Sequence, residues 1–357
     1  MDKKQIENLL NIGVKEKWIP GYSYAIIYRD RIIKGYGGYR ELFPKKIVNN
    51  EETVYDMASL TKVVITNTLL WRFIEKDLIH LQDPVKKYLK DFPYDTTIEQ
   101  LATHTSGFIA DIDYKIFHTK EKLIKEAMNP KLIQKPGEFA YYSDINYILL
   151  GLIFETYFKK DLNTLANQEI FIPLNMKKTS FLPSNPEICA ATEITKERGV
   201  VKGMVHDEKA NILGGIAGHA GLFSHVDDLI PFCQMILNNG LYNGKPYLKK
   251  QTIDCWFQKQ YFDKNQELER GFSWISGNNT YTTGKCVSKN TISHSGFTGT
   301  SMLIDRDNQF AFIYLTNRVH PTRNNKYFRE FRREVTDLIC QTIFFEISKE
   351  KTLQKTK

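Results

Sequence analysis

Two pairs of extended, apolar-rich segments at opposite ends of the chain constrain its fold more than any other feature. Near the N-terminus, Tyr22 to Tyr28 and Ile32 to Tyr36 flank a tight turn at Asp30-Arg31, the pattern of a β-hairpin. Near the other end, Thr300 to Ile304 and Gln309 to Leu315 flank a turn at Asp305 to Asn308. Ahead of the first pair, Lys3 to Trp18 carries Ile6, Leu9, Leu10, Ile12 and Val14 at helical spacing and stops at Pro20-Gly21. Behind the second pair, Lys326 to Ile347 is a long helical run. One antiparallel sheet assembled from both ends satisfies all of these segments.

Between the ends the chain reads mostly as helix and loop. Leu60 to Glu75 is helical, and Tyr147, Leu150, Gly151, Phe154 and Phe158 share one helix face. Ser224-His225-Val226-Asp227 has the form of a capping box opening a helix from Asp228 to Leu237. There is no internal repeat and no Pro/Ser-rich linker. The expected class is α+β: an antiparallel sheet from both termini, flanked by helices, with a mostly helical inserted subdomain. Its 357 residues suffice for one large domain. The expected boundaries are a single unit over 1–348, with a sheet part at about 1–58 and 270–348 and a helical part at about 59–269. Residues 349–357 are expected to be a flexible, charged tail.

Composition removes several function classes. No stretch reaches the roughly eighteen apolar residues of a membrane span, and the greasiest run, Tyr147 to Phe154, has core length. Met1-Asp-Lys-Lys-Gln leads into an amphipathic segment rather than an apolar signal core, which predicts a cytoplasmic protein with no membrane partner. The net charge is +8, but the basic residues are scattered rather than striped, so no nucleic-acid partner is expected. Five widely spaced cysteines with no Cys-x-x-Cys pair argue for reduced, structural thiols and against a disulfide framework or thiolate zinc site.

Three short motifs carry chemistry. Ser59-Leu60-Thr61-Lys62 opens a helix, and its i,i+3 spacing puts hydroxyl and ammonium on one face. A serine needs a neighbouring base to become a nucleophile, and a desolvated lysine can serve. Tyr142-Ser143-Asp144 follows a Pro-Gly loop and precedes a helix, where Ser143 alone reads as a cap and Tyr142 as a packing aromatic. His294-Ser295-Gly296, followed by Phe297, is a polar-small-glycine triplet on a strand, a shape along which a substrate backbone can pair.

In this order and at these separations, the motifs resemble the serine β-lactamase and penicillin-binding protein family, in its class C β-lactamase, DD-peptidase and esterase branch. The resemblance runs from Ile19-Pro20-Gly21 to the terminal helix. It includes Leu101-Ala102-Thr103-His104-Thr105-Ser106-Gly107, Asn146-Tyr147, Ile172-Pro173-Leu174-Asn175-Met176 and Gly218-His219-Ala220-Gly221-Leu222-Phe223-Ser224. It implies that Ser59 is acylated, that Lys62 activates it, and that Tyr142 relays protons. It further implies that Asp144, His294, Ser295, Gly296 and Phe297 line the substrate site, with the N–H groups of Ser59 and Phe297 as the oxyanion hole. The chain departs from the family pattern twice. Asp144 stands for the usual Asn, adding negative charge beside Lys62, and His294 stands for the usual Lys, weakening a fixed cation for a substrate carboxylate.

The resemblance therefore implies a cofactor-independent serine hydrolase acting through an acyl-enzyme on an amide, peptide or ester related to cell-wall peptides. Its partners are a small-molecule or peptide substrate, with β-lactams as candidate covalent ligands. Alternatives are a carboxylesterase for small esters, or a slowly acylated sensor that does not turn over. Val205-His206-Asp207-Glu208 with His219 offers metal-ligand types, but without a His-Glu-x-x-His spacing it reads as a loop wall, and no metal is expected. His104 reads as a hydrogen-bonded structural histidine.

Overall fold

The computed structural model describes residues 3–355 except 265, 280, 281 and 285, with side chains to 349. Its main sheet has nine strands. In chain order they are β1 Gly21–Tyr28, β2 Arg31–Glu41, β3 Ile47–Val48, β4 Tyr261–Asp263, β5 Leu268–Arg270, β6 Ile275–Ser276, β7 Thr291–Ser295, β8 Ser301–Asp305 and β9 Phe310–Thr316. The spatial order is β4-β5-β6-β7-β8-β9-β1-β2-β3, and every pairing is antiparallel. The two terminal hairpins lie side by side through β1 and β9, in the register Tyr22↔Thr316 to Tyr28↔Phe310. The first hairpin turns at Arg29-Asp30, since Tyr28 already pairs with Arg31.

The strands alternate with period two, and both faces are covered, which explains why β1 and β9 are buried along their whole length and mostly apolar. Tyr22, Tyr24, Ile26, Phe310, Phe312 and Tyr314 face a cluster with Ile6 and Leu10 of helix α1 (Lys3–Lys15) and with Phe331, Val335 and Ile339 of the terminal helix. Ala25, Ile27, Ala311, Ile313 and Leu315 face the other way, into the larger core shared with the helical part. That core includes Leu149, Leu150 and Phe154 of helix α2 (Asp144–Phe158) and Leu229, Phe232 and Met235 of helix α3 (Val226–Leu237).

Four expectations need correction. The sheet begins at Tyr261 rather than near 270, because β4 to β6 extend its edge beyond the motif strand. The terminal helix α4 runs Phe328–Lys355, past the expected end at Ile347. Helix α3 is capped by His225, whose ring accepts from the Asp227 N–H at 3.1 Å, while the Ser224 hydroxyl pairs with Thr179 at 2.8 Å. Ser143 does precede α2, but its hydroxyl donates to the Ile109 carbonyl (2.7 Å) instead of capping the helix. Among the described residues, no helix is long and apolar enough to cross a membrane.

Candidate active site

The three motifs converge between the sheet and the helical part. Ser59 follows Ala58, which is held in the left-handed region at φ 45°, a conformation a non-glycine residue adopts only when its surroundings enforce it. Those surroundings are visible. The buried Asp56 carboxylate accepts the Ala58 N–H (2.8 Å) and the His206 N–H (2.6 Å). The Thr298 hydroxyl donates to the Asp56 carbonyl (2.7 Å) and the Thr300 hydroxyl to the Met57 carbonyl (3.1 Å), stitching the serine turn to the end of β7. Gly296 allows this approach: a Cβ there would lie 2.4 Å from the Met57 carbonyl oxygen and 2.3 Å from Thr300 Oγ1.

Lys62 lies at the start of a segment, Lys62–Asn67, wound in wide π-type turns before the α-helix Thr68–Glu75. Such turns in place of regular helix recur at functional sites. The Lys62 side chain is fully buried. Its ammonium donates to Ser59 Oγ at 3.0 Å and to the His219 carbonyl at 3.1 Å, and pairs with Asp144 Oδ1 at 2.7 Å. It also sits 5.0 Å from the Tyr142 ring centroid. Gly218 sets the carbonyl contact, because a Cβ there would come within 2.1 Å of the Tyr147 carbonyl oxygen and lift the 218–219 segment off α2.

Burial alone would push Lys62 towards the neutral amine. Asp144 and Tyr142 outweigh it and hold its pKa above the ordinary lysine value. Tyr142 is raised by burial, against the pull of the Lys62 ammonium and of a hydrogen bond with Ser59. Burial raises Asp144 as well, but Lys62, Lys209 and His219 overcome that and keep it a carboxylate. At neutral pH the group is therefore ammonium, phenol and carboxylate, a coupled set rather than three separate titrations.

Tyr142 stands in a buried cationic and aromatic setting that the motifs did not announce. His104 packs at 4.6 Å and His294 at 6.1 Å between ring centroids, and the Arg270 guanidinium lies 4.8 Å from the Tyr142 ring. Arg270 is buried and paired with Asp263 at 2.9 Å. Burial, then Arg270 and Lys62, drive both histidines well below the usual range, so both are neutral imidazoles. As expected for a structural histidine, His104 Nδ1 accepts the Ser143 N–H at 3.2 Å.

The strand motif offers an open edge. Among the described residues, β6 pairs with Ile292 and Ser293 of β7, and no strand lies on the outer side of His294 and Ser295. Phe297 is half-exposed beyond it, stacked on His206 at 5.7 Å. Neither Ser59 nor Phe297 donates its N–H to another backbone group among the described residues.

The suspected metal-type residues find separate partners. His206 pairs with Glu193 (3.0 Å), Glu208 with Arg323, and His219 with Asp207 (2.9 Å). Asp144, Asp207 and His219 place one ligand-type atom each within 4.8 Å of one another. The Lys209 ammonium already contacts both carboxylates and Lys62 contacts one, so the cluster is an ion-pair network. Sequence reasoning missed Lys209 and Arg270. Lys209 adjoins a segment that stood out, but nothing local tied it to Asp144.

A family model described as Beta-lactamase matches residues 6–337. An Escherichia coli O157:H7 protein described as "Putative D-alanyl-D-alanine carboxypeptidase" is 30% identical over 366 aligned residues, 88% of this chain and 83% of the relative. A protein of the same description from Salmonella agona (strain SL483) is 33% identical, covering 90% of this chain and 83% of its own length. Among solved structures, the octameric penicillin-binding protein homologue from Pyrococcus abyssi superimposes with a TM-score of 0.74 at 22% identity, over 93% of this chain and 76% of that one. EstCE1, a hydrolase with promiscuous acyltransferase activity, gives 0.76 at 19% identity, over 93% and 98%. The chain belongs to the beta-lactamase family of hydrolases.

Proposed function

We propose that the protein is a serine hydrolase acting through an acyl-enzyme, with an amide or peptide related to cell-wall peptides as substrate. The observation that carries this reading is the 3.0 Å contact between Ser59 Oγ and the fully buried Lys62 ammonium. The reacting form of the site is the one in which the Lys62–Tyr142 couple has lost one proton: Ser59 Oγ attacks the carbonyl, its proton fills that vacancy, and the couple then passes it to the leaving group. The N–H groups of Ser59 and Phe297 take the oxyanion, and the open edge of His294-Ser295 pairs the substrate backbone. Water then releases the acyl group by the reverse relay. Two bacterial relatives described as "Putative D-alanyl-D-alanine carboxypeptidase", at 30% and 33% identity, support a peptide.

The neutral, buried His294 supplies no fixed charge for a β-lactam or substrate carboxylate, so efficient β-lactam hydrolysis is not expected. Among the described residues the cysteines form no disulfide, which fits a reducing, cytoplasmic setting, where processing of imported wall fragments is the corresponding task. A panel of short peptides ending in D-alanyl-D-alanine, muropeptides, small activated esters and a penicillin tests the reading. Steady turnover of a peptide or muropeptide, absent in Ser59→Ala, supports it. Turnover of the esters alone would replace it with the carboxylesterase reading, and a single burst without turnover with the sensor reading.

A further inference from the structure

An acid in contact with Lys62 poses a chemical problem. A lone buried carboxylate 2.7 Å from the ammonium would hold its proton and disarm it. The structure contains a counterweight. Lys209, four-per-cent exposed, lies in the first turn of the short helix Glu208–Ile212 and reaches back towards α2. Its ammonium lies 3.5 Å from Asp144 Oδ2, on the oxygen that Lys62 does not use, and 3.1 Å from both Asp207 and Asp111.

We propose that Lys209 is a positioning residue that neutralises Asp144 from its far side, so that the Lys62–Tyr142 couple can still release one proton and then take up that of Ser59. Lys209 has this role only if Ser59 is the nucleophile, as proposed above. Asp144 is then a carboxylate bridging two ammoniums, and its shape serves where the resemblance leads one to expect an amide. Asp207 fixes Lys209 in turn: it caps the helix by accepting the Ala210 N–H (2.8 Å) and holds the His219 ring (2.9 Å), whose own carbonyl accepts from Lys62. One short segment thus sets both the charge and the position of the lysine.

The charged and titratable groups around the couple come from every element packed on it. They are Asp144 from α2, Lys209 and Asp207 from the 207–212 segment, His219, Asp111 from its loop, His104, Arg270 from β5 and His294 from β7. Of these, Lys209 is the one cation with an ammonium on Asp144 besides Lys62 among the described residues. Removing it leaves Asp144, Asp207 and Asp111 short of positive charge. The couple then binds its proton more tightly.

The test is the pH dependence of covalent labelling by a fluorophosphonate, followed by intact mass. In this step the Ser59 Oγ–P bond forms, fluoride leaves, and the serine proton goes to the couple in the form that has already lost one proton, whose population sets the pH profile. In Lys209→Met the pH of half-maximal rate is expected to rise by about one unit or more, with labelling at pH 7 about tenfold slower. Lys209→Arg is expected to restore the native profile. In an Asp144→Asn background, Lys209→Met is expected to shift the midpoint by less than half as much. An unmoved profile in Lys209→Met, or an equal shift with and without Asp144, overturns the proposal while leaving the serine reading intact. Absence of labelling in the native protein defeats the serine reading itself. If Lys209→Met does not fold by its melting curve, Lys209→Gln replaces it under the same criteria.

Discussion

At the scale of single residues, Asp144 decides the electrostatics of the site. Ahead of Tyr142, it is the larger of the two influences that keep Lys62 above the ordinary lysine range against burial. Asp144→Asn removes that hold, burial then dominates, and the pH of half-maximal labelling should fall relative to the native protein, by about one unit. A rise, or no movement, would show that Asp144 does not face Lys62 in solution. Sequence alone made the pair Ser59 and Lys62 legible, because an i,i+3 spacing places two side chains on one helix face whatever the rest of the fold. Lys209 and Arg270 were not legible. They meet Asp144 and Tyr142 across long stretches of chain, and a lone Lys or Arg carries no local pattern.

At the scale of elements, the site depends on how closely β7 passes the serine turn. Gly296→Ala would place a methyl 2.4 Å from the Met57 carbonyl oxygen, and backbone cannot rotate away as a side chain can. The expected cost is about 1–3 kcal/mol, read as a lower melting temperature, with labelling of Ser59 reduced at least about tenfold because β7 carries Phe297 with it. Unchanged labelling in the variant would mean that β7 does not form the oxyanion wall. The strand motif was legible as polar-small-glycine, and the close approach supplies the reason for the glycine. The caps were less legible. His225 rather than Ser224 caps α3, since the Ser224 hydroxyl has a partner in Thr179, a residue far away in the chain that only the folded structure brings close.

At the scale of the whole molecule, the chain leaves the sheet once and returns to it, so neither part is complete alone. Helices α1 and α4 together cover the face formed by Tyr22, Tyr24, Phe310 and Phe312. A chain ended after Lys326 would bare that face and lose the buried Phe328, Phe331, Val335 and Ile339, and is expected not to yield soluble, cooperatively melting protein. A sharp melting transition from that truncation would show that the terminal helix is dispensable. The terminal hairpins made this architecture legible, because alternating strands bounded by turns need few long-range facts. The edge strands β4 to β6 were not, being two or three residues each, too short for periodicity to register.

The ion-pair network also links folding to pH. Asp144 and Asp207 lie below their ordinary carboxylate values in the folded state, so their contribution is complete above the unfolded value near 3.8 and is lost as pH falls through the folded values. Lys209 is raised, so its contribution is complete below about 10.5 and is lost as pH climbs past the folded value. Asp144→Asn should therefore flatten the acid limb of the melting temperature against pH.

The central claim is that Ser59 is an activated nucleophile. Intact mass after exposure to a fluorophosphonate, with peptide mapping of the adduct, tests it most directly. The account predicts one adduct, on Ser59, absent from Ser59→Ala and strongly slowed in Lys62→Met. No adduct, or one that persists in Ser59→Ala, would contradict it.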